Sequence, residues 1–220
     1  MGRGSSVKGV TARAKGRPKV PREVREREML RVATRAFAQR GFHAASVDAI
    51  AEGAGISKPM VYAYFGSKEG LYRACMVQAR ERLFDTLRRG VAGVAAPDQQ
   101  LWHGLLAFFT FVRERRDAWA VLVGEVAGAL AADGAEVRRE AGALIATLLR
   151  QVAVDEGVDP ASLELIDPLA RALVGSAESL TEWWEEHPEH PPERVALTLM
   201  NFAWNGLGDL VRGGRWLPAN

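Results

Sequence analysis

The stretch from Ser46 to Lys68, SVDAIAEGAGISKPMVYAYFGSK, constrains this chain more than any other. It predicts two short helices joined by a tight turn. Ser46 is placed to cap the first helix, and Asp48 falls in its first turn, where the helix dipole favours an acid. Val47, Ile50, Ala51 and Ala54 recur at i, i+3, i+4 and i+7, one apolar face. Gly55 follows directly and is free to take the left-handed conformation that ends a helix and opens a sharp turn. Ile56 is the apolar plug beneath that turn. Ser57 restarts the chain as an N-cap, with Pro59 in the first turn, where a missing N–H is tolerated. Val61 and Phe65 point to the core, which leaves Lys58, Met60, Tyr62, Ala63 and Tyr64 outside.

This is the pattern of a helix-turn-helix, whose second helix enters the major groove of DNA. A helix that only covers a core has no use for Lys and two Tyr on its wet side. On a groove-reading helix, Tyr hydroxyls and Lys bond phosphates, and Met and Ala touch base edges or thymine methyls. The plainer reading is a surface helical hairpin with exposed aromatics.

Residues 29 to 75 resemble the DNA-binding domain of the TetR family of transcriptional regulators. The matching pieces are Phe37-Ala38-Gln39-Arg40-Gly41-Phe42, Val47 with Ile50-Ala51, Ala54-Gly55-Ile56-Ser57-Lys58, Tyr62 with Tyr64-Phe65, and Ser67-Lys68-Glu69 with Leu71. Pro59 and Met60 depart from the commoner Gly or Ala and Thr. The resemblance implies DNA contacts from Ser46, Ser57, Lys58, Pro59, Met60, Tyr62, Ala63, Tyr64 and Lys68. It also implies an all-α fold of about nine helices: a three-helix DNA-binding domain at 22–66, then a helical effector-binding and dimerisation domain at 67–220.

The net charge of +2 hides an uneven distribution. Arg3, Lys8, Arg13, Lys15, Arg17 and Lys19 lie in the first twenty residues with no acid. Removing those six leaves 23 basic against 27 acidic residues. Residues 1–21 therefore read as a basic, Gly- and Ser-rich arm, disordered alone. Lys15, Arg17 and Lys19, nearest the first helix, are the candidates for phosphate or minor-groove contact; a solvated tail is the alternative.

The first helix is expected from Arg22 to Arg40, with Met29, Ala33, Ala36 and Phe37 inside and Gly41 as its stop. Ser67 caps a fourth helix running to about Leu87, and Arg88-Arg89-Gly90 marks a loop and a boundary. Beyond Pro97 no stretch alternates in period two, so helices are expected throughout. They run from Asp98 with Leu101, Leu105, Phe108, Phe109 and Val112 inside, from Ala118 to Ala131, and from an Asp133 cap to Glu156 with Val137, Leu144, Ile145 and Leu148 inside. Two more follow, from an Asp167 cap to Glu186 and from Glu193 to about Arg212.

The last helix is apolar around most of its circumference, more than one core can face. The resemblance implies a homodimer formed by the two terminal helices, with Leu173, Leu180, Trp184, Leu199, Phe202, Ala203, Leu207 and Leu210 at its interface. Such a dimer sets two recognition helices about 34–36 Å apart to read a palindromic operator in double-stranded DNA. The resemblance further implies an apolar cavity in which a small-molecule effector shifts the spacing of the reading heads. Leu83, Phe84, Leu105, Phe108, Phe109, Trp119 and Leu122 are the candidate lining residues. Each is also an ordinary core residue. No ionised cluster interrupts these apolar faces, so the expected ligand is apolar or aromatic.

Other classes find little support. No phosphate-binding Gly-rich loop is present. His187 and His190 have metal-like spacing but lie in a Pro-rich turn with no third ligand nearby, so no metal and no cofactor is expected. Cys75 alone precludes an internal disulfide and suits a reducing cytoplasm. No apolar run reaches membrane-spanning length. The expected function is a cytoplasmic one-component regulator, a repressor released by its ligand. A TetR-like activator, a ligand-binding helical protein with a vestigial helix-turn-helix, and an enzyme on a helical scaffold are the alternatives.

Overall fold

A computed structural model describes residues 21–124, 129–155, 157 and 163–211. Among the described residues there are nine helices and no strand: α1 (Arg22–Ala44), α2 (Val47–Gly53), α3 (Lys58–Phe65), α4 (Lys68–Val91), α5 (Pro97–Glu114), α6 (Arg116–Val123), α7 (Ala129–Asp155), α8 (Ile166–Glu186) and α9 (Pro192–Val211). The all-α expectation holds.

In the head, α1, α2, α3 and the first half of α4 enclose one apolar cluster. Met29, Ala33, Phe37, Ile50, Val61 and Leu71 are its buried members. The Ser46 side chain accepts from the Ala49 N–H at 3.4 Å, so α2 is capped as its sequence requires. Gly55 takes φ +65°, a conformation costly for other L residues, and lets Ile56 N–H reach back to the Ala51 carbonyl. Two local expectations change. Helix α1 continues to Ala44 past a kink at Gly41, and Ser57 stands before α3 without a side-chain cap bond.

Helix α4 runs to Val91, so Arg88, Arg89 and Gly90 form its last turn instead of a loop. Two forces explain this. Arg88 and Arg89 suit the negative end of the helix dipole. Gly90 admits α5 to close contact, because a Cβ there would lie 2.7 Å from the Ala107 Cβ. Helix α5 begins at Pro97, with Asp98 in its first turn rather than at the cap.

The single helix expected from Ala118 to Ala131 is broken. Helix α6 ends at Val123 and Gly124 is extended, with φ −56° and ψ 133°. Asp133 lies inside α7 and pairs with Arg73 at 2.9 Å instead of capping. Leu144, expected inside, is 47% exposed. Helix α8 starts at Ile166, with Leu165 at the cap position. Asp167 sits in its first turn and accepts from Arg150 at 2.7 Å. The end at Glu186 agrees with the sequence reading.

The main body core gathers α4, α5, α6, α7, α8 and α9 around Phe84, Phe109, Val195 and Ala196. The head core does not stop at α4. Val121 of α6 and Leu130 of α7 are buried within it. Helix α6 thus has its Trp119 in the body core and its Val121 in the head core.

Candidate nucleic-acid interface and effector cavity

Helix α3 presents its outer face as the spacing predicts, with two adjustments. Val61 is buried, Phe65 and Met60 are half-buried, and Lys58, Pro59, Tyr62 and Ala63 are exposed. Tyr62 is 39% exposed, the most accessible aromatic on the helix. Tyr64, expected outside, is half-buried: it packs on the head core, and the Arg22 guanidinium lies 5.0 Å from its ring centre. That cation–π contact orders the start of α1 against the end of α3.

Lys58 opens α3 and reaches back to Asp48 on α2 at 2.8 Å. The hydrogen bond and charge of Asp48 hold the Lys58 ammonium above its ordinary range. Lys58 therefore stays cationic, oriented on the wet face. Lys68 also makes contacts within the head. Its Nζ donates to the His43 carbonyl at 3.0 Å and lies 4.9 Å from the centre of the Phe42 ring. It ties α4 to the end of α1, which leaves less of its donor capacity for a phosphate. Ser46 caps α2 and Ser57 has a free hydroxyl at the start of α3. Lys15, Arg17 and Lys19 lie outside the described residues.

The body holds an apolar cavity of about 230 Å³ among α4, α5, α6, α7 and α8. Leu83, Leu105, Phe108 and Trp119 line it, as expected. Phe84, Phe109 and Leu122 do not; they are buried in the core behind it. The missed wall comes from α7, where Val137, Ala141, Leu144, Ile145 and Leu148 recur at helical spacing and face the cavity. That stripe was readable in the sequence. Which void it faced was not. Leu173, expected at a dimer interface, also lines this cavity. Three ionised residues reach the lining. Arg138 is bonded to Glu178 at 2.9 Å through both carboxylate oxygens, and Arg88 pairs with Asp85 at 2.7 Å.

The two terminal helices have an inner and an outer face. Trp184, Leu199 and Ala203 are buried inside the protomer, and the Trp184 indole N–H donates to the His190 carbonyl at 2.9 Å. Leu180, Trp183 and Phe202 face a shallow outer groove between α8 and α9. Phe202 is 70% exposed. A Cβ at Gly175 in that groove would meet nothing within 4 Å. Leu207 and Leu210 have side chains outside the described residues.

His187 and His190 stack on Trp183, at 4.4 Å and 5.3 Å between ring centres, which gives them a packing role. Among the described residues no group of three His, Cys, Asp or Glu could hold a metal ion. No described helix is long and apolar enough to cross a membrane.

Comparisons with known proteins agree with this geometry. Residues 29–75 match the family model of bacterial regulatory proteins of the tetR family, and residues 97–206 match that of the tetracyclin repressor-like C-terminal domain. The chain is 27% identical over 191 residues to the HTH-type transcriptional activator FasR of Mycolicibacterium smegmatis, covering 86% of this chain and 85% of FasR. It is 36% identical over 66 residues to the HTH-type transcriptional regulator UidR of Escherichia coli K12, covering 30% of this chain and 34% of UidR. Among solved structures, a TetR-like transcriptional regulator from Rhodococcus sp. RHA1 superposes with a TM-score of 0.73 at 33% identity, over 86% of this chain and 99% of that one. Family models that together span both the reading head and the helical body, on a fold shared along nearly the whole length, establish that the chain is a DNA-binding transcriptional regulator of the TetR family.

Proposed function

We propose that the protein is a homodimeric repressor that reads a palindromic operator and leaves it when an apolar or aromatic small molecule fills the body cavity. The observation that carries this reading is α6. Within eight residues it puts Trp119 on the cavity wall and Val121 in the head core. A ligand that displaces Trp119 cannot leave Val121 where it was, because close-packed interiors transmit displacement. The ligand need only bind the non-operator geometry better than the operator geometry to shift the population.

The outward face of α3 supports a reading head. Lys58 and Tyr62 are set for phosphates, and Met60 and Ala63 for base edges. The outer groove between α8 and α9 supports self-association, since Phe202 and Trp183 leave apolar surface that a second copy would cover. The cavity lining favours an uncharged ligand or ligand portion, because Arg138 and Arg88 are already neutralised by carboxylates. A cytoplasmic location follows from the DNA-binding role.

Recovering and sequencing the genomic fragments that the purified protein retains tests the first half. A shared palindrome is expected; random fragments would overturn it. Adding apolar and aromatic compounds to the resulting gel shift tests the second half, with release of the band expected. A second reading, ligand-dependent activation, is favoured by the likeness to the activator FasR along 86% of the chain. A reporter fused to the recovered promoter separates the two: deleting the regulator raises expression under repression and lowers it under activation.

A further inference from the structure

A second concavity lies on the seam between head and body and differs in chemistry from the apolar cavity. It encloses about 340 Å³. Cys75, Ala79 and Ala118 are its buried floor. Thr34 and Gln78 add hydrogen-bonding groups to its wall. The rim carries five guanidinium groups and two carboxylates: Arg31 from α1, Arg82 from α4, Arg113 and Glu114 from the end of α5, Arg115 between the helices, and Arg116 and Asp117 from the start of α6.

These arginines stand in contrast to others in the body. Arg73, Arg80, Arg138 and Arg150 each find a carboxylate on another helix. In the cleft only Arg31 is paired, and its partner Glu28, at 2.6 Å, lies on the same helix. Arg82, Arg113, Arg115 and Arg116 have no carboxylate within 4 Å among the described residues, although Glu114 and Asp117 share the rim. Several like charges are thus held around one small volume with too little countercharge. The electrostatic remedy is an anion. Guanidinium forks bond phosphate oxygens in pairs, whereas a single carboxylate could satisfy only one of them.

We propose that this cleft binds a small polyphosphate-bearing molecule, held between Arg31 of the head and Arg82, Arg113, Arg115 and Arg116 of the body. The site is separate from the apolar cavity. A ligand there bridges both sides of the seam that α6 crosses, so its occupancy adds a second, anionic input to the position of the head. The guanidinium groups reach water, which gives a soluble anion direct access.

The test is calorimetric titration of inorganic triphosphate into the full chain without DNA, at constant ionic strength near ~0.15 M. Saturable binding of one triphosphate per chain is expected. Replacing Arg113→Gln together with Arg116→Gln is expected to weaken it about tenfold or more. Lys58→Ala, on the DNA face, is expected to leave it unchanged. Should the double variant melt differently from the parent, Arg82→Gln, on the surface of α4, carries the same comparison with the turn intact. Heat that never saturates, equal binding by the arginine variants, or equal loss in Lys58→Ala each overturns the assignment, the last by placing the triphosphate on the DNA face. Because no DNA or apolar ligand enters the measurement, its outcome is independent of the operator and effector reading.

Discussion

The Tyr72 hydroxyl donates to the Val121 carbonyl at 3.0 Å, joining α4 of the head to α6 of the body inside one buried cluster. The neighbouring Gly124 leaves room for this bond, since a Cβ there would sit 3.0 Å from the Tyr72 oxygen. Tyr72→Phe leaves a buried carbonyl without its donor. It is expected to cost about 1 kcal/mol of stability in urea unfolding. It is also expected to reduce the effect of the effector on DNA affinity, because the head loses one tie to α6. A variant as stable and as responsive as the parent would remove Tyr72 from the connection.

Lys58 is held by Asp48 at 2.8 Å, so the phosphate contact proposed for it requires a phosphate to displace that carboxylate. Lys58→Ala is expected to weaken binding to all duplexes alike and to lower the slope of log K against log salt by about 1. Asp48→Asn is expected to act in the opposite sense on random DNA, strengthening it and so narrowing discrimination. Fluorescence anisotropy at several salt concentrations checks both. A change in base preference with Lys58→Ala would assign it a base contact instead.

Phe202 provides the most exposed large apolar surface among the described residues. Phe202→Glu places a charge on the face assigned to the second copy. Sedimentation velocity is expected to show single chains. Operator affinity should fall steeply, since a lone head loses the base contacts of one half-site, worth about 1–3 kcal/mol per base pair. A dimer that persists would move the interface elsewhere.

Ala141 lines the cavity from α7. Ala141→Phe is expected to occupy space that the effector needs, at about 1–3 kcal/mol in stability if neighbours must yield. Operator binding should remain while release by the ligand is lost, which a gel shift with and without ligand reads directly.

Burial pushes the Cys75 thiol up to about 11. An acid whose pKa is raised by folding stabilises the native state fully below its unfolded value, near ~8.5, and loses that contribution as pH rises through the folded value. Unfolding measured from about pH 8 to 11 should therefore show falling stability, with at most about 3 kcal/mol from this thiol. Burial raises Tyr72 as well, so Cys75→Ala should lessen the decline without abolishing it. A decline of the same size in the variant would exclude Cys75 as a source. Thiol reagents are expected to label the native chain slowly.

The helix-turn-helix was legible in the sequence because each of its parts is local. Ser46, Gly55, Pro59 and the spacing of Val47, Ile50 and Val61 act within a turn or two of themselves. What escaped the sequence depends on partners far along the chain. Tyr64 has an outward helical phase, yet Arg22, forty-two positions earlier, covers it. Gly90 resembles a loop residue until Ala107 is beside it. The run from Ala118 to Ala131 is apolar on all sides, so it carries no phase from which to place the break at Gly124. Leu173 and Leu199 are indistinguishable from outward positions by periodicity alone; only the packing of α8 on α7 and of α9 on α5 decides which side is inner. The cavity was half legible: the resemblance implied it, and Leu83, Leu105, Phe108 and Trp119 do line it, while the α7 wall required knowing which helix closes the void.

The contact at Gly90 acts as a fulcrum. Backbone meets neighbour there too closely for any side chain at position 90, and the other end of the same 24-residue helix holds the reading head. At 1.5 Å per residue the arm between them is about 33 Å, so a tilt of roughly 5° would carry Lys68 about 3 Å, close to the rise of one base pair. A change too small to notice at the pivot is enough to put the tip out of step with the duplex.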